Sequence, residues 1–297
     1  MKYSIIIHGG AGRGDKHTFH QIEKTLGITQ LESRHHEALR ECITVGENIL
    51  QQNGTSIDAV TKCIKYLEDN ELFNAGKGSV RNIDKEYYVE SCITEGKDYN
   101  FGSACFINNV KNPIELSRAF MLDTSLMIAG NAASLDYSRT YGIETVEPSY
   151  YQSMYRDTLS KLNEDLGTVG AVAIDNMGLI CAGTSTGGRQ NKMRGRIGDA
   201  PLIGISTVAD NEHVGISCTG AGEEIVKGKV ASQILFRMKW NNEDLTDAIE
   251  RTLHTVNGPC GIIGVDKEYR TYFQSNTERM YVGYTRHDTC ISTHLWK

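Results

Sequence analysis

Thr168 stands directly behind a glycine at the head of an apolar run, Val169, Ala171, Val172, Ala173 and Ile174, and this junction constrains the chain more than any other feature. A β-branched run opened by Gly predicts a strand with Thr168 at its end. A Thr hydroxyl is a weak nucleophile until a base lies beside it, and the nearest base is the residue's own α-amine. That amine exists only if the bond from Gly167 is cut. Its reference pKa of about 7.7–8.0 leaves a useful neutral fraction near pH 7, so one residue can supply both nucleophile and base.

Groups able to serve such a nucleophile follow it in the chain. Thr186 offers a hydroxyl to orient Thr168. Arg196 and Asp199 lie close together in a loop rich in glycine (Gly187, Gly188, Gly195, Gly198), a cation and an anion suited to the carboxylate and ammonium of a free amino acid. Thr219 and Gly220 stand where a strand pattern gives way to a helical one, so a hydroxyl and a backbone N–H can hold a developing oxyanion. Each has a plainer explanation as well. A Thr at a strand start is a good β-former, an Arg–Asp pair is commonly solvated, and Thr219 with Gly220 can be a helix cap.

With 297 residues the chain is long enough for one large core, and 39% hydrophobic against 23% charged residues is the balance of a globular protein rather than a disordered one. A net charge of −6, with no cluster of Lys and Arg, argues against a nucleic-acid partner and for a small molecule. The eight cysteines (Cys42, Cys63, Cys92, Cys105, Cys181, Cys218, Cys260, Cys290) include no C-x-x-C pair and no His at zinc spacing, and read as reduced core residues. The start MKYSIIIHGGAG resembles neither a signal peptide nor a membrane span, so the expected compartment is the cytoplasm, with no membrane partner.

Periodicity then divides the chain. Residues 3–8 predict a buried strand ending in a loop at Gly9, Gly10, Ala11, Gly12 and Gly14, and Asp15 stands where a dinucleotide fingerprint needs its last Gly. Residues 31–52 predict an amphipathic helix, and a second helix follows a Ser56 cap with Val60, Cys63, Ile64 and Leu67 inside. The loop 72–79 lacks the spacing of a phosphate loop, and its carbonyls suit an alkali cation. Strands are predicted at 89–94, 102–107, 168–174, 179–184, 213–219, 260–265, 270–274 and 280–284. Helices are predicted at 113–122, at 223–238 with Val226, Val230, Ile234 and Leu235 inside, and from an Asn242 cap to His254. Residues 137–166 read as a surface connector with a little helix. Strands on both sides of Thr168, with helices before and after, predict an α/β (α+β) architecture: two stacked sheets with helices on both outer faces, a four-layer αββα sandwich.

The runs Gly167-Thr168-Val169-Gly170-Ala171-Val172-Ala173-Ile174-Asp175, Thr184-Ser185-Thr186-Gly187-Gly188, Gly195-Arg196-Ile197-Gly198-Asp199 and Ser217-Cys218-Thr219-Gly220, in this order and spacing, resemble the plant-type asparaginase and isoaspartyl peptidase family of N-terminal-nucleophile (Ntn) hydrolases. Ile7-His8-Gly9-Gly10-Ala11-Gly12, Leu72-Phe73-Asn74-Ala75-Gly76-Lys77-Gly78 and Asn276-Thr277-Glu278 extend the likeness over most of the chain. The resemblance implies one Ntn domain, 1–297, that cuts itself between Gly167 and Thr168 into an α fragment (1–167) and a β fragment (168–297). It implies hydrolysis of L-asparagine and β-aspartyl (isoaspartyl) dipeptides through an ester on Thr168. Thr186 would help activate Thr168, Thr219 with the Gly220 N–H would form the oxyanion hole, Arg196, Asp199 and Gly222 would bind the substrate's carboxylate and amine, and Asn74 would support the site. No cofactor for the chemistry is implied. A structural Na+ or K+ on carbonyls of Leu67, Glu68, Asn70, Phe73, Ala75 and Lys77 is implied, as is a homodimer of αβ units. Against the family pattern, Arg194 replaces a Pro, Arg189 replaces an uncharged residue, and the connector before Gly167 is shorter. Two other outcomes stay open on the sequence: an uncut, non-enzymatic amino-acid-binding protein of the same fold, and a glycosylasparaginase-type amidase or a protein-cutting threonine aspartase.

Overall fold

The computed structural model describes residues 2–12, 14–123, 127–162 and 167–296. In chain order its elements are β1 (Ser4–Gly12), α1 (Lys16–Leu26), α2 (Leu31–Gln51), α3 (Ser56–Asp69), β2 (Val89–Glu95), β3 (Phe101–Ile107), α4 (Pro113–Leu122), β4 (Ile128–Ala129), α5 (Asn131–Tyr141), α6 (Met154–Lys161), β5 (Val169–Ile174), β6 (Ile180–Thr186), β7 (Thr207–Asp210), β8 (Val214–Gly220), α7 (Gly222–Gly228), α8 (Val230–Asn241), α9 (Leu245–Leu253), β9 (Cys260–Asp266), β10 (Thr271–Ser275), β11 (Arg279–Arg286) and β12 (Ser292–Trp296). Eight strands form one sheet in the order β12-β11-β1-β5-β6-β2-β3-β4, and four form a second, β10-β9-β8-β7.

Strand alternation explains the layering. Along β1, Ile5 and Ile7 join the core beneath α2 and α3, whereas Ile6 joins the core between the sheets. Along β5, Val169, Ala171 and Ala173 face the helices, and Val172 and Ile174 face the second sheet. The second sheet does the same in mirror order: Val214, Ile216 and Cys218 of β8 pack under α8 and α9 with Ile234, Leu235 and Ile249. Such strands, apolar on both faces, are buried between other layers. The expected αββα sandwich is therefore the architecture found, with one apolar layer between sheets and one beneath each set of helices.

Local departures from the sequence expectations have local causes. The first strand runs on to Gly12 instead of ending at His8, because a bulge between His8 and Gly10 absorbs the extra residue and pairing with β11 continues. Thr55, not Ser56, caps α3, its hydroxyl accepting from the Asp58 N–H, while Asp175 takes the Ser56 N–H. The helix expected at 223–238 is broken at Lys229, which adopts a left-handed conformation between α7 and α8; Val226 is exposed rather than buried. Asn242 ends α8, and Asp244 caps α9. The connector expected at the surface carries α5, α6 and a buried Arg156 that donates from Nε to the Gly78 carbonyl at 2.8 Å and from Nη2 to that of Leu72 at 3.1 Å. Its last part, 163–166, lies outside the described residues. Helix α1 and strands β7 and β12 are further elements, too short or too polar to stand out in the pattern.

Seven cysteines are buried as expected, but Cys290 is exposed. Burial pushes the thiols of Cys92 and Cys105 up to about 12, so they are unreactive at neutral pH. A native-state titration with a maleimide should therefore label Cys290 alone, and all eight thiols should react after unfolding. Rapid labelling of several thiols in the folded protein would contradict this packing.

Candidate active site

Thr168 immediately precedes β5 and shares its side-chain parity with Gly170, Val172 and Ile174, so it points between the sheets. Because Val169 pairs with Ser185, continuing the antiparallel register sets Thr168 opposite Thr186. From the other sheet, Gly215 contacts Val172 and Ile180 across the gap, and Thr219 lies on that same inward face of β8. Three hydroxyls from two sheets thus meet at one end of the sandwich, and all three residues are buried.

The contacts there are specific. The Thr168 N–H donates to Thr219 Oγ1 at 3.1 Å, and the Ala11 N–H of β1 donates to the same oxygen at 3.3 Å. Both lone pairs of that hydroxyl are engaged, so its own proton is left to donate elsewhere. Gly167 lies so close to Thr219 Oγ1 that any Cβ there would collide with it. Thr186 Oγ1 accepts from the Gly188 N–H at 2.9 Å and likewise keeps its proton to give. Gly220 ends β8 at φ 138°, and a Cβ there would strike the Pro259 carbonyl, so this position beside Thr219 requires Gly.

Sequence reasoning missed His8 as a member of the site. Its ring is fully buried, with Nδ1 3.0 Å from the Thr168 carbonyl and Nε2 3.0 Å from Ser217 Oγ. A carbonyl can only accept, so Nδ1 carries the proton and Nε2 accepts from Ser217. Burial pushes the imidazole down to about 3, so it stays neutral. Ser217 Oγ in turn lies 2.8 Å from Thr184 Oγ1, which bonds to Thr207. Only a glycine at position 170 leaves room for this ring and the Ser217 hydroxyl. The signal available in the sequence was a polar His at the inward parity of an otherwise apolar strand.

Arg196, Asp199 and Gly222 also come together. A Cβ at Gly222 would lie 2.5 Å from Asp199 Oδ1 and 3.2 Å from Arg196 Nη2. Arg196 pairs with Glu223, Nη2 to Oε1 at 3.1 Å, an acidic partner the sequence had not suggested. Asp199 is buried, with the Ser206 hydroxyl beside its carboxylate. Burial raises the Asp199 carboxyl to about 6, against the opposing pull of a backbone N–H, the Ser206 hydroxyl and the Arg196 charge. Asn74 supports the loop: its Nδ2 donates to the Gly188 carbonyl at 2.8 Å, and its own carbonyl accepts from Gly187 at 3.0 Å.

Two stacked sheets sheathed in helices are the fold shared by the N-terminal-nucleophile hydrolases, and this chain is a hydrolase with that fold. More narrowly, it belongs to the asparaginase family, whose model matches residues 1–295. The chain is 33% identical to the isoaspartyl peptidase of Escherichia coli, over 94% of this chain and 92% of that one. It is 34% identical to the plant-type L-asparaginase of Pyrococcus furiosus, with coverages of 93% and 94%. It is also 34% identical to the isoaspartyl peptidase/L-asparaginase of Bos taurus, with coverages of 90% and 88%.

The raised Asp199 carboxyl has a consequence for stability. A carboxyl whose pKa rises on folding is penalised wherever it is ionised, fully above about 6 and not at all below its unfolded value of 3.8. Asp199→Asn should raise the melting temperature at pH 7–8, by a stabilisation on the order of 3 kcal/mol, and the gain should vanish toward pH 4. Equal melting temperatures for the two proteins across that range would refute the raised value.

Proposed function

We propose that the chain cuts itself between Gly167 and Thr168 and then hydrolyses L-asparagine and β-aspartyl dipeptides at Thr168. The observation that carries this is the Thr219 hydroxyl, whose acceptor sites are taken by the Thr168 and Ala11 N–H groups and whose proton remains to donate. It lies against Gly167, at the peptide bond to be broken. In self-cleavage Thr168 Oγ adds to the Gly167 carbonyl carbon, the C–N bond breaks, and the nitrogen takes the hydroxyl proton to become the α-amine. Water then hydrolyses the resulting ester and frees the Gly167 carboxylate.

The freed amine serves as base for the second reaction. Thr168 Oγ attacks the β-carbonyl of the substrate, the oxyanion is held by the Thr219 hydroxyl and the Gly220 N–H, and ammonia or an amine departs with the proton. Water, activated by the same amine, releases L-aspartate from the ester. Thr186, opposite Thr168 with its proton free to donate, supports the nucleophile. Asparagine and an isoaspartyl residue share a β-carbonyl beside a free α-carboxylate and a free α-amine. Arg196 and Asp199 match those two charges, and relatives named isoaspartyl peptidase and L-asparaginase support the same substrates.

An alkali cation fits the turn before Asn74. Cβ atoms at Gly76 and Gly78 would strike the carbonyls of Glu68 and Phe73, so the backbone folds inward on its own oxygens. The carbonyls of Leu67, Asn70, Phe73 and Ala75 each accept one N–H and keep a second lone pair. The Glu68 carboxyl is buried in the same turn and held well above the usual carboxylate range by that burial, against hydrogen bonds from Ser185, the Ile114 N–H and Asn112. With Glu68 and Lys77, these carbonyls would hold a Na+ or K+ whose part is to stiffen the turn.

Denaturing electrophoresis should resolve wild-type protein into two fragments, with residue 168 as a new N-terminus, whereas Thr168→Ala should remain one inactive chain. A wild-type chain that stays intact and releases no aspartate from either substrate would overturn the proposal. Thr219→Val should lower kcat by about 10²–10³-fold, the usual effect of removing one oxyanion donor. Below pH 6 KM should rise as Asp199 protonates and loses its hold on the substrate ammonium.

A further inference from the structure

Two buried charged residues beside this site, Glu90 and Lys192, have no part in the reaction as described. Glu90 is an inward-facing residue of β2, paired in register with Thr186. Its side chain is fully buried, Oε2 accepts the Gly198 N–H at 2.9 Å, and Oε1 has no hydrogen-bond partner. A Cβ at Gly198 would lie 3.1 Å from Glu90 Oε2 and 2.9 Å from Arg196 Nη1, so the carboxylate and guanidinium face one another across that glycine. Arg196 is thus flanked by acids on two sides: Glu90 toward Nη1, and Asp199 and Glu223 toward Nη2.

Lys192 is also buried and donates from Nζ to the carbonyls of Tyr88, at 2.6 Å, and Gly187. A Cβ at Gly188 would lie 2.8 Å from that ammonium and 3.4 Å from Arg196 Nη1. Gly188 is the residue whose N–H is given to Thr186 Oγ1. The ammonium therefore anchors the turn that orients Thr186, while the carboxylate anchors the loop that carries Arg196 and Asp199. Burial drives the Glu90 carboxyl upward, opposed by the Lys192 charge, and brings the Lys192 ammonium down to about 8, opposed by Glu90. Buried ions of this kind are a poor source of stability, since apolar replacements are commonly neutral or better. Their place under two working loops supplies the reason for keeping them.

We infer that Glu90 and Lys192 are positioning residues of the hydrolytic site, Glu90 fixing the Arg196–Asp199 clamp through Gly198 and Lys192 fixing Thr186 through the Gly187–Gly188 turn. The inference rests on the proposed function. It divides the two residues between steps: Glu90 acts on substrate binding and Lys192 on turnover. A guanidinium held in plane presents its free edge to a carboxylate, and releasing it weakens a bidentate contact.

The test is steady-state hydrolysis of L-asparagine by the self-processed wild type, Glu90→Gln, Glu90→Asp and Lys192→Met, with melting temperatures measured alongside. Glu90→Gln keeps the shape and removes the charge; its KM should rise about tenfold with kcat within about threefold of wild type. Glu90→Asp keeps the charge one methylene further back, and its KM should rise only about threefold. Lys192→Met should lower kcat about tenfold and leave KM within about threefold. A merely structural role would move processing and melting temperature but would not place the loss in KM for one residue and in kcat for the other. A KM for Glu90→Gln within twofold of wild type, or equal losses confined to kcat in both Glu90 variants, overturns the inference. Should Glu90→Gln fail to fold, Glu90→Asp decides, and an unchanged KM there overturns it. A wild type that neither cuts itself nor hydrolyses L-asparagine removes the proposed function instead, and so is distinguished from failure of this inference alone.

Discussion

One buried hydroxyl oxygen ties the two sheets together at the end where the chemistry is gathered. Thr219 Oγ1, from the smaller sheet, accepts the N–H of Ala11 in β1 and that of Thr168, the residue just before the neighbouring strand β5 of the larger sheet. A net gain of about 1 kcal/mol for each bond understates their weight, because losing the acceptor would strand two buried N–H groups at about 1–3 kcal/mol apiece. Much around this point is arranged to allow it. Gly167 has no Cβ to block the approach, Gly170 admits His8 and Ser217, and the bulge in β1 carries the chain past His8 and keeps it paired through Ala11. The apolar residues between the sheets, from Ile6 and Val172 to Ile263 and Val265, set the spacing in which an oxygen from one sheet reaches nitrogens of the other.

The same end of the sandwich holds an unusual density of buried charge: Glu90, Lys192, Asp199 and the partly screened Arg196. Like charges lie close here, Lys192 beside Arg196 and Glu90 beside Asp199, and each cation has an acid near it that offsets part of the cost of burial. Glu90 retains an oxygen without a partner. Orphaned acceptors of that kind are rare in a folded interior, and where they point at an opening they mark places built to receive a donor.

Much of this could be read from the chain before any coordinates, and the reasons differ from part to part. The largely apolar runs at 3–8 and 169–174 disclosed buried strands, because a strand covered on both faces carries no polar side, but they did not tell which residues face the helices and which the other sheet. Thr168, Thr186 and Thr219 were legible as a set because glycines and family-like runs surround each of them. His8, Glu90 and Lys192 were not, since their significance lies in contacts between distant segments: His8 with Thr168 and Ser217, Glu90 with Gly198, Lys192 with Tyr88. The break at Lys229 was equally hidden, for a helical hydrophobic pattern that continues across one left-handed residue gives no notice of it. Arg156 escaped because a charged residue in a polar stretch reads as solvent-facing, while its donors turn inward to the carbonyls of Gly78 and Leu72.

Asp199 has one more consequence. A carboxyl held near 6 by its surroundings keeps a small share of bound protons at neutral pH and a large one in mildly acidic solution. Any cation that settles against it restores the ordinary acidity and drives that share out. Under the proposed function, filling the clamp releases that fraction of a proton, small at pH 7 and larger near pH 6, and the heat of binding would carry a matching fraction of the ionisation enthalpy of whatever buffer collects it.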